Sequence, residues 1–143
     1  MIPPDSKCSP RAERLREFCK SFEDADFTWG ENDCTLWVAL WLQQESGVEL
    51  DLPEYRSESE ARDIINSAGG LNFLWASALA ENGIKEKYPP EVGDIGIVQF
   101  GESQIGCIFA SGNIAVVRSE KRICYVRSGS AIQSWGTLNC HEK

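Results

Sequence analysis

The residues best suited to chemistry in this chain stand together at Asp33-Cys34-Thr35, directly ahead of an apolar run, Leu36-Trp37-Val38, that continues through Leu40-Trp41-Leu42. A cysteine just behind a helix-capping aspartate faces the positive end of the helix dipole, which favours thiolate and lowers the thiol pKa. Such a nucleophile normally works with a base that takes its proton and is itself oriented by a third group. The only histidine of the sequence is His141, in a Cys-His-Glu-Lys tail, and it reads as part of a solvated chain end. A nucleophile is legible and its customary partner is not.

Each of these residues also has a plain structural reading. Cys34 can be a small apolar residue on a buried helix, since free cysteine is among the most buried types. Asp33 caps the helix whatever the function, because its carboxylate satisfies otherwise unpaired N–H groups. Trp29-Gly30 shape the loop that enters the helix, and Gly93-Asp94 turn the chain into its first strand. The remaining cysteines, at 8, 19, 107, 124 and 140, form no Cys-x-x-Cys pair, which removes zinc ribbons and thioredoxin motifs. Cys19, Cys107 and Cys124 fall in apolar patterns and read as core residues. Cys8 and Cys140-His141 lack ligand spacing, so neither a metal nor another cofactor is expected.

The elements that must position this group follow from periodicity. Ser9-Pro10 open a first helix with Leu15, Phe18, Cys19 and Phe22 on one stripe. Asp33 opens a second, apolar around nearly its whole circumference and closed by Gly47, as expected of a buried helix. Ser57 to Asn66 and Leu71 to Glu81 predict two more, closed by Gly69-Gly70 and Asn82-Gly83. Beyond Pro89-Pro90 the pattern turns to short β-rich runs at 94–100, 104–110, 113–118, 121–127 and 130–136, spaced for hairpins. Helices first and strands afterwards predict one α+β domain over 1–143, helical over about 9–83 and β over about 92–136 with terminal tails. The second helix is expected to lie across an antiparallel sheet of about five strands.

Composition narrows the partners. With 14 basic against 22 acidic residues the net charge is −8, which opposes a phosphate backbone, so nucleic acid is not expected. The basic run Arg118, Lys121, Arg122 and Arg127 reads as a solvated hairpin face. No stretch of 18 apolar residues occurs, so no membrane span is expected, and the Met-Ile-Pro-Pro start lacks a signal-peptide core, which predicts synthesis in a cytoplasm.

Taken in order, Phe27-x-Trp29-Gly30, Asp33-Cys34-Thr35-Leu36, Val92-Gly93-Asp94-Ile95-Gly96, Ile105-Gly106-Cys107-Ile108 and Gly112-Asn113 resemble the NlpC/P60 family of papain-like cell-wall cysteine peptidases. There the corresponding stretches read Tyr-x-Trp-Gly-Gly, Asp-Cys-Ser-Gly, Gly-Asp-Leu and His-Val-Gly-Ile-Tyr. The resemblance spans roughly residues 27 to 117, and the compact Trp-Gly-x-x-Asp-Cys form resembles the phage-encoded, tail-associated branch. It implies a papain-like fold, Cys34 as nucleophile, and Phe27, Trp29 and Gly30 near the substrate and oxyanion. It also implies three departures. The family's histidine falls on Gln104, whose amide has no useful basicity. The third polar residue falls near Val116 in an apolar strand, and the tyrosine before Trp-Gly is Phe27, without a hydroxyl. The expectation is a phage tail-tip component, located in the virion, that uses a degenerate peptidase domain mainly as a structural and interaction part. Its expected partners are tail hub or fibre proteins, with peptidoglycan as a further candidate. The alternative is an active cysteine peptidase or amidase cutting peptidoglycan peptides during entry, with Cys34 attacking the carbonyl.

Overall fold

The computed structural model describes residues 10–22, 33–50, 52–100, 103–111, 113–118, 122–127 and 131–137, with the side chains of Cys34, Phe100 and Ser103 outside that description. It is an α+β structure with four helices followed by one five-stranded antiparallel sheet.

Helix α1, Arg11–Ser21, begins behind Pro10 and buries the stripe Leu15, Phe18 and Cys19. Helix α2, Cys34–Ser46, begins at Asp33 and ends at Gly47, whose φ of 78° is the left-handed conformation a helix stop favours. Phe18 of α1 wedges between Trp37 and Trp41 of α2, with ring centroids 5.5 and 5.3 Å away. Helix α3, Glu58–Ala68, is capped by the Ser57 hydroxyl and runs two residues beyond the expected Asn66 before Gly69 closes it. Helix α4 occupies Leu71–Glu81, as its spacing predicts.

The strands are β1, Ile95–Phe100; β2, Ser103–Phe109; β3, Ile114–Arg118; β4, Ile123–Arg127; and β5, Ala131–Trp135. Their order across the sheet is β4-β3-β2-β1-β5, so the last strand returns beside the first. Alternation assigns the two faces. Ile95, Ile97, Ile108, Val116 and Trp135 join the tryptophans and leucines of the helices in the main core. Val98, Cys107, Phe109, Ala115 and Val117 form a second apolar cluster on the other face. Helix α2 lies over β2 and β3, as the sequence predicts for the second helix.

Two expectations need correction. Helix α2 is not buried on every side. Trp37, Val38, Trp41 and Leu42 are fully enclosed, but Leu40 is 39% exposed and Gln43 and Gln44 face outward. The sheet and α1 cover part of its circumference and leave an outer strip. The basic run is not uniformly solvated either. Arg122 and Arg127 are exposed, but Arg118 is 2% exposed. Arg118 shares the helix-side face with Val116, so its guanidinium is drawn beneath α1, where it donates to the Phe22 carbonyl at 3.2 Å and lies over the Phe22 ring. A cation at the C-terminal end of a helix meets the negative end of its dipole.

Candidate functional site

The head of α2 is built by Asp33. Its Oδ1 accepts from the backbone N–H groups of Thr35 and Leu36 at 3.0 and 3.1 Å, and its own carbonyl accepts the first helical bond from Trp37. The carboxylate is fully buried. The Tyr55 hydroxyl also donates to Oδ1, at 2.8 Å. Tyr55 lies in the stretch between α2 and α3, so this bond ties that connection to the helix N-terminus, beside the backbone of Cys34. Sequence patterning gave no sign of Tyr55, because a contact between residues 22 positions apart has no local periodicity.

A second wall comes from the β1–β2 hairpin. Gln104 lies on the same face of β2 as Ile108, the face turned to the helices. Its cross-strand partner is Gln99 of β1. The break at Gly101-Glu102-Ser103 between the two β-rich runs is visible in the sequence and brings the end of the first run beside the start of the second; that signal could have found Gln99. The Gln104 carboxamide reaches towards the start of α4, where a Cβ on Gly70 would stand 3.9 Å from its Oε1.

These pieces enclose a cleft of about 530 Å³. Thr35 at the head of α2, Tyr55, Gln99 and Gln104 contribute polar groups to its lining, and Leu52, Leu71 and Leu74 contribute apolar ones; Ile105 borders it from a strand position whose side chain packs on the far face of the sheet. The size lies in the range of ligand-binding pockets, roughly 300 to 1,000 Å³, and the mixture of apolar surface with a few convergent polar groups is typical of them. Of the residues singled out from the sequence, Gln104 and the neighbour of Cys34 thus meet in one cleft. Asp33 supports it from behind. The Cys34 side chain, with Phe27, Trp29, Gly30, Cys8, Cys140 and His141, lies outside the described residues.

Val116 is not beside Gln104. The β2–β3 register pairs Ile108 with Val116 and Phe109 with Ala115, so Val116 stands level with a point four residues (108 − 104) further along β2, roughly 13 Å away. It is fully buried in the helix-side core and cannot orient a group on Gln104.

Gly93-Asp94 does structural work. The Gly93 carbonyl accepts from Trp41 Nε1 at 2.8 Å, from Arg11 Nη2 at 3.1 Å and from the Thr137 hydroxyl at 2.7 Å. Asp94 is fully buried. It accepts from the backbone N–H of Glu91 and of Thr137, and it pairs with Lys87 at 3.2 Å and Arg11 at 3.6 Å. Arg11 and Arg14 in turn grip Glu45 of α2, at 3.0 Å and 2.8 Å. Burial pushes the Glu45 carboxyl up, but Arg14 and then Arg11 more than offset that and hold it below its ordinary range. This junction fastens α1, α2 and the entrance of β1 together, away from the cleft.

The described cysteines differ in burial. Cys19 and Cys107 are buried, and burial pushes the Cys107 thiol far above its ordinary range, which makes it inert at neutral pH; Cys124 is only half-buried. Among the described residues no group of three or more His, Cys, Asp and Glu side chains is placed to hold a metal, and no helix is long and apolar enough to cross a membrane.

No curated protein and no solved structure matches the chain. A family model does, over residues 7–137, which takes in all four helices and all five strands. The chain belongs to that family, a domain of unknown function designated DUF6950.

Proposed function

We propose that this chain is a degenerate NlpC/P60 domain with a papain-like fold, acting mainly as a structural and interaction component of a phage tail tip, in contact with hub or fibre proteins. One observation carries the reading: the strand position where that family has its histidine is Gln104, and the Gln104 side chain lines the cleft at the head of α2. The order of four helices before an antiparallel sheet supports it, as does Asp33 capping the helix that Cys34 begins. A carboxamide can orient a ligand by hydrogen bonds but cannot take a proton from a thiol near neutral pH. Losing general-base help costs about 10²- to 10⁴-fold in rate. An architecture that keeps the cleft without the base suits binding better than turnover.

The active alternative draws on the same helix head. In that reading the dipole of α2 activates Cys34, and the Cys34 N–H, ahead of the two that Asp33 takes up, supports the oxyanion. Two experiments separate the readings. Purified protein and its Cys34→Ser variant are incubated with peptidoglycan, and the thiol is titrated with iodoacetamide against pH. The expected result is no release of peptides above the variant and no thiol reacting well below the usual cysteine range. Turnover lost specifically on Cys34→Ser would establish the enzyme. Mass spectrometry of purified phage particles addresses the structural role, with the chain expected at stoichiometric level in tails. A chain found only free of particles would refute a tail component.

A further inference from the structure

Helix α3 buries a single side chain, Ala61, where each of the other three helices buries three or more. Its apolar side does not close fully on the core. Ala61, Ile64 and Ile65 border the cleft of about 530 Å³, and a second hollow of about 430 Å³ runs along the helix at Ile64, Ser67 and Leu74. Ile65 reaches the main core, yet it and Ile64 stay half-buried. The helix packs chiefly on α4. Most helical stability in proteins comes from burying an apolar face, and here that source is thin.

The helix is stabilised from within instead. The Ser57 hydroxyl accepts from the Glu60 N–H at 3.1 Å, and the Glu60 carboxylate accepts from the Arg56 N–H at 2.8 Å, so the first turn is closed by its own side chains. Glu58 pairs with Arg62 one turn on. At the far end the Gly69 and Gly70 N–H groups return to the Asn66 and Ile65 carbonyls, at 3.1 and 2.9 Å, in a Schellman closure. A helix that carries its own caps can move without unwinding. It is also flanked by two stretches able to flex. Ahead of it Pro53, Glu54 and Arg56 are exposed, and behind it Gly69 and Gly70 have φ of 93° and 136°, with no Cβ to restrict them. Hinges are a few connecting residues of this kind. The Tyr55 hydroxyl, 2.8 Å from Asp33 Oδ1, fastens the first connection to the head of α2. Asp33 keeps both backbone bonds of its cap when that hydroxyl leaves, so α2 is the same in either position.

We infer that α3 is a lid over the cleft, swinging as a rigid body about residues 52–56 and Gly69-Gly70, with the bond from Tyr55 to Asp33 as its latch. The inference concerns access to the cleft and holds whether the cleft binds or catalyses. Local openings cost less than global unfolding. They also expose little surface, so they answer weakly to denaturant.

Thiol labelling of the full-length chain tests this, with a bulky maleimide at urea concentrations below the unfolding transition and the sites read by peptide mass spectrometry. Ala61→Cys places a probe under the lid, and Ala78→Cys places a matched one on α4 outside the cleft; the two alanines are 8% and 7% exposed. The Ala61→Cys thiol should react about tenfold faster than the Ala78→Cys thiol, or more, at a rate nearly flat in urea. The Ala78→Cys thiol and the buried native Cys107 should react only on global unfolding, at rates that climb steeply with urea. Adding Tyr55→Phe should speed labelling of Ala61→Cys about fivefold. Over the labelling time the backbone amides of α3 should keep their protection from hydrogen exchange. Equal rates and equal urea dependence at the two probes would overturn the inference. So would loss of α3 amide protection in step with labelling, which is melting and not swinging, and indifference to Tyr55→Phe would remove the latch. If Ala61→Cys does not fold, nuclear magnetic relaxation dispersion on the parent chain decides the matter. Exchange at Tyr55, Gly69 and Gly70 shared with α3 supports the lid, and flat profiles there refute it.

Discussion

At Asp33 one oxygen of one carboxylate holds the cap of α2 and the Tyr55 hydroxyl together. Asp33→Ala therefore removes a helix cap, worth about 1 kcal/mol, and also strands a partly buried hydroxyl, worth about 1 to 3 kcal/mol. The expected loss in urea unfolding is about 2 kcal/mol or more for Asp33→Ala and about 1 kcal/mol for Tyr55→Phe. The double variant should lose no more than Asp33→Ala alone, because both changes delete the same bond. Additive losses would show that the bond carries nothing. Glu45 gives the pH counterpart. Its folded pKa is depressed by Arg14 and Arg11 below the ordinary 4.5, so its contribution is complete above that value and is lost as pH falls through the folded pKa. Glu45→Gln should lower stability by about 3 kcal/mol at pH 7, since two largely buried guanidinium groups lose the carboxylate they share. The variant should also show a shallower loss on acidification below pH 4.5, followed by urea midpoints at successive pH values. Asp33 was legible as a cap from its place before an apolar run; Tyr55 and the grip on Glu45 were not, because their partners lie 22 and 31 to 34 residues away.

Among the elements, helices and strands were read to within a residue or two, since apolar period and Gly or Pro punctuation act locally. The stripe of α1 was read correctly; what escaped was which side of α2 and of β3 is covered. Leu40 is apolar and exposed, Arg118 is charged and buried, and both follow from where neighbouring elements stop. The β2–β3 register likewise depends on turn length, and it separates Val116 from Gln104. The joint between helices and sheet is tight at Gly93. Its φ is 89°, and a Cβ there would meet the Arg11 guanidinium at 2.5 Å. Gly93→Ala should cost about 3 kcal/mol or more, combining backbone strain with the displacement of Arg11 from the Gly93 carbonyl. Differential scanning calorimetry checks this, with an unchanged transition as the contrary result.

For the whole molecule, the helices and the sheet share one core. Trp37 and Trp41 of α2, Trp75 of α4 and Trp135 of β5 belong to the same cluster, with Trp75 and Trp135 rings 6.1 Å apart. A core that spans both halves should unfold as one unit. Far-ultraviolet circular dichroism and tryptophan fluorescence are expected to give superimposable urea transitions. Separated midpoints would show that the helical and β halves are independent.

By itself the sequence determined the α+β order, the five strands, the capped head of α2 and the glutamine at the β2 position, because each rests on residue type and short-range spacing. Only the tertiary structure decided that Thr35, Tyr55, Gln99 and Gln104 line one cleft, that Asp94 is a buried junction, and that Arg118 points inward. Those facts depend on strand register and on helices meeting a sheet across long stretches of chain, and burial on that scale is set by the packing of whole elements.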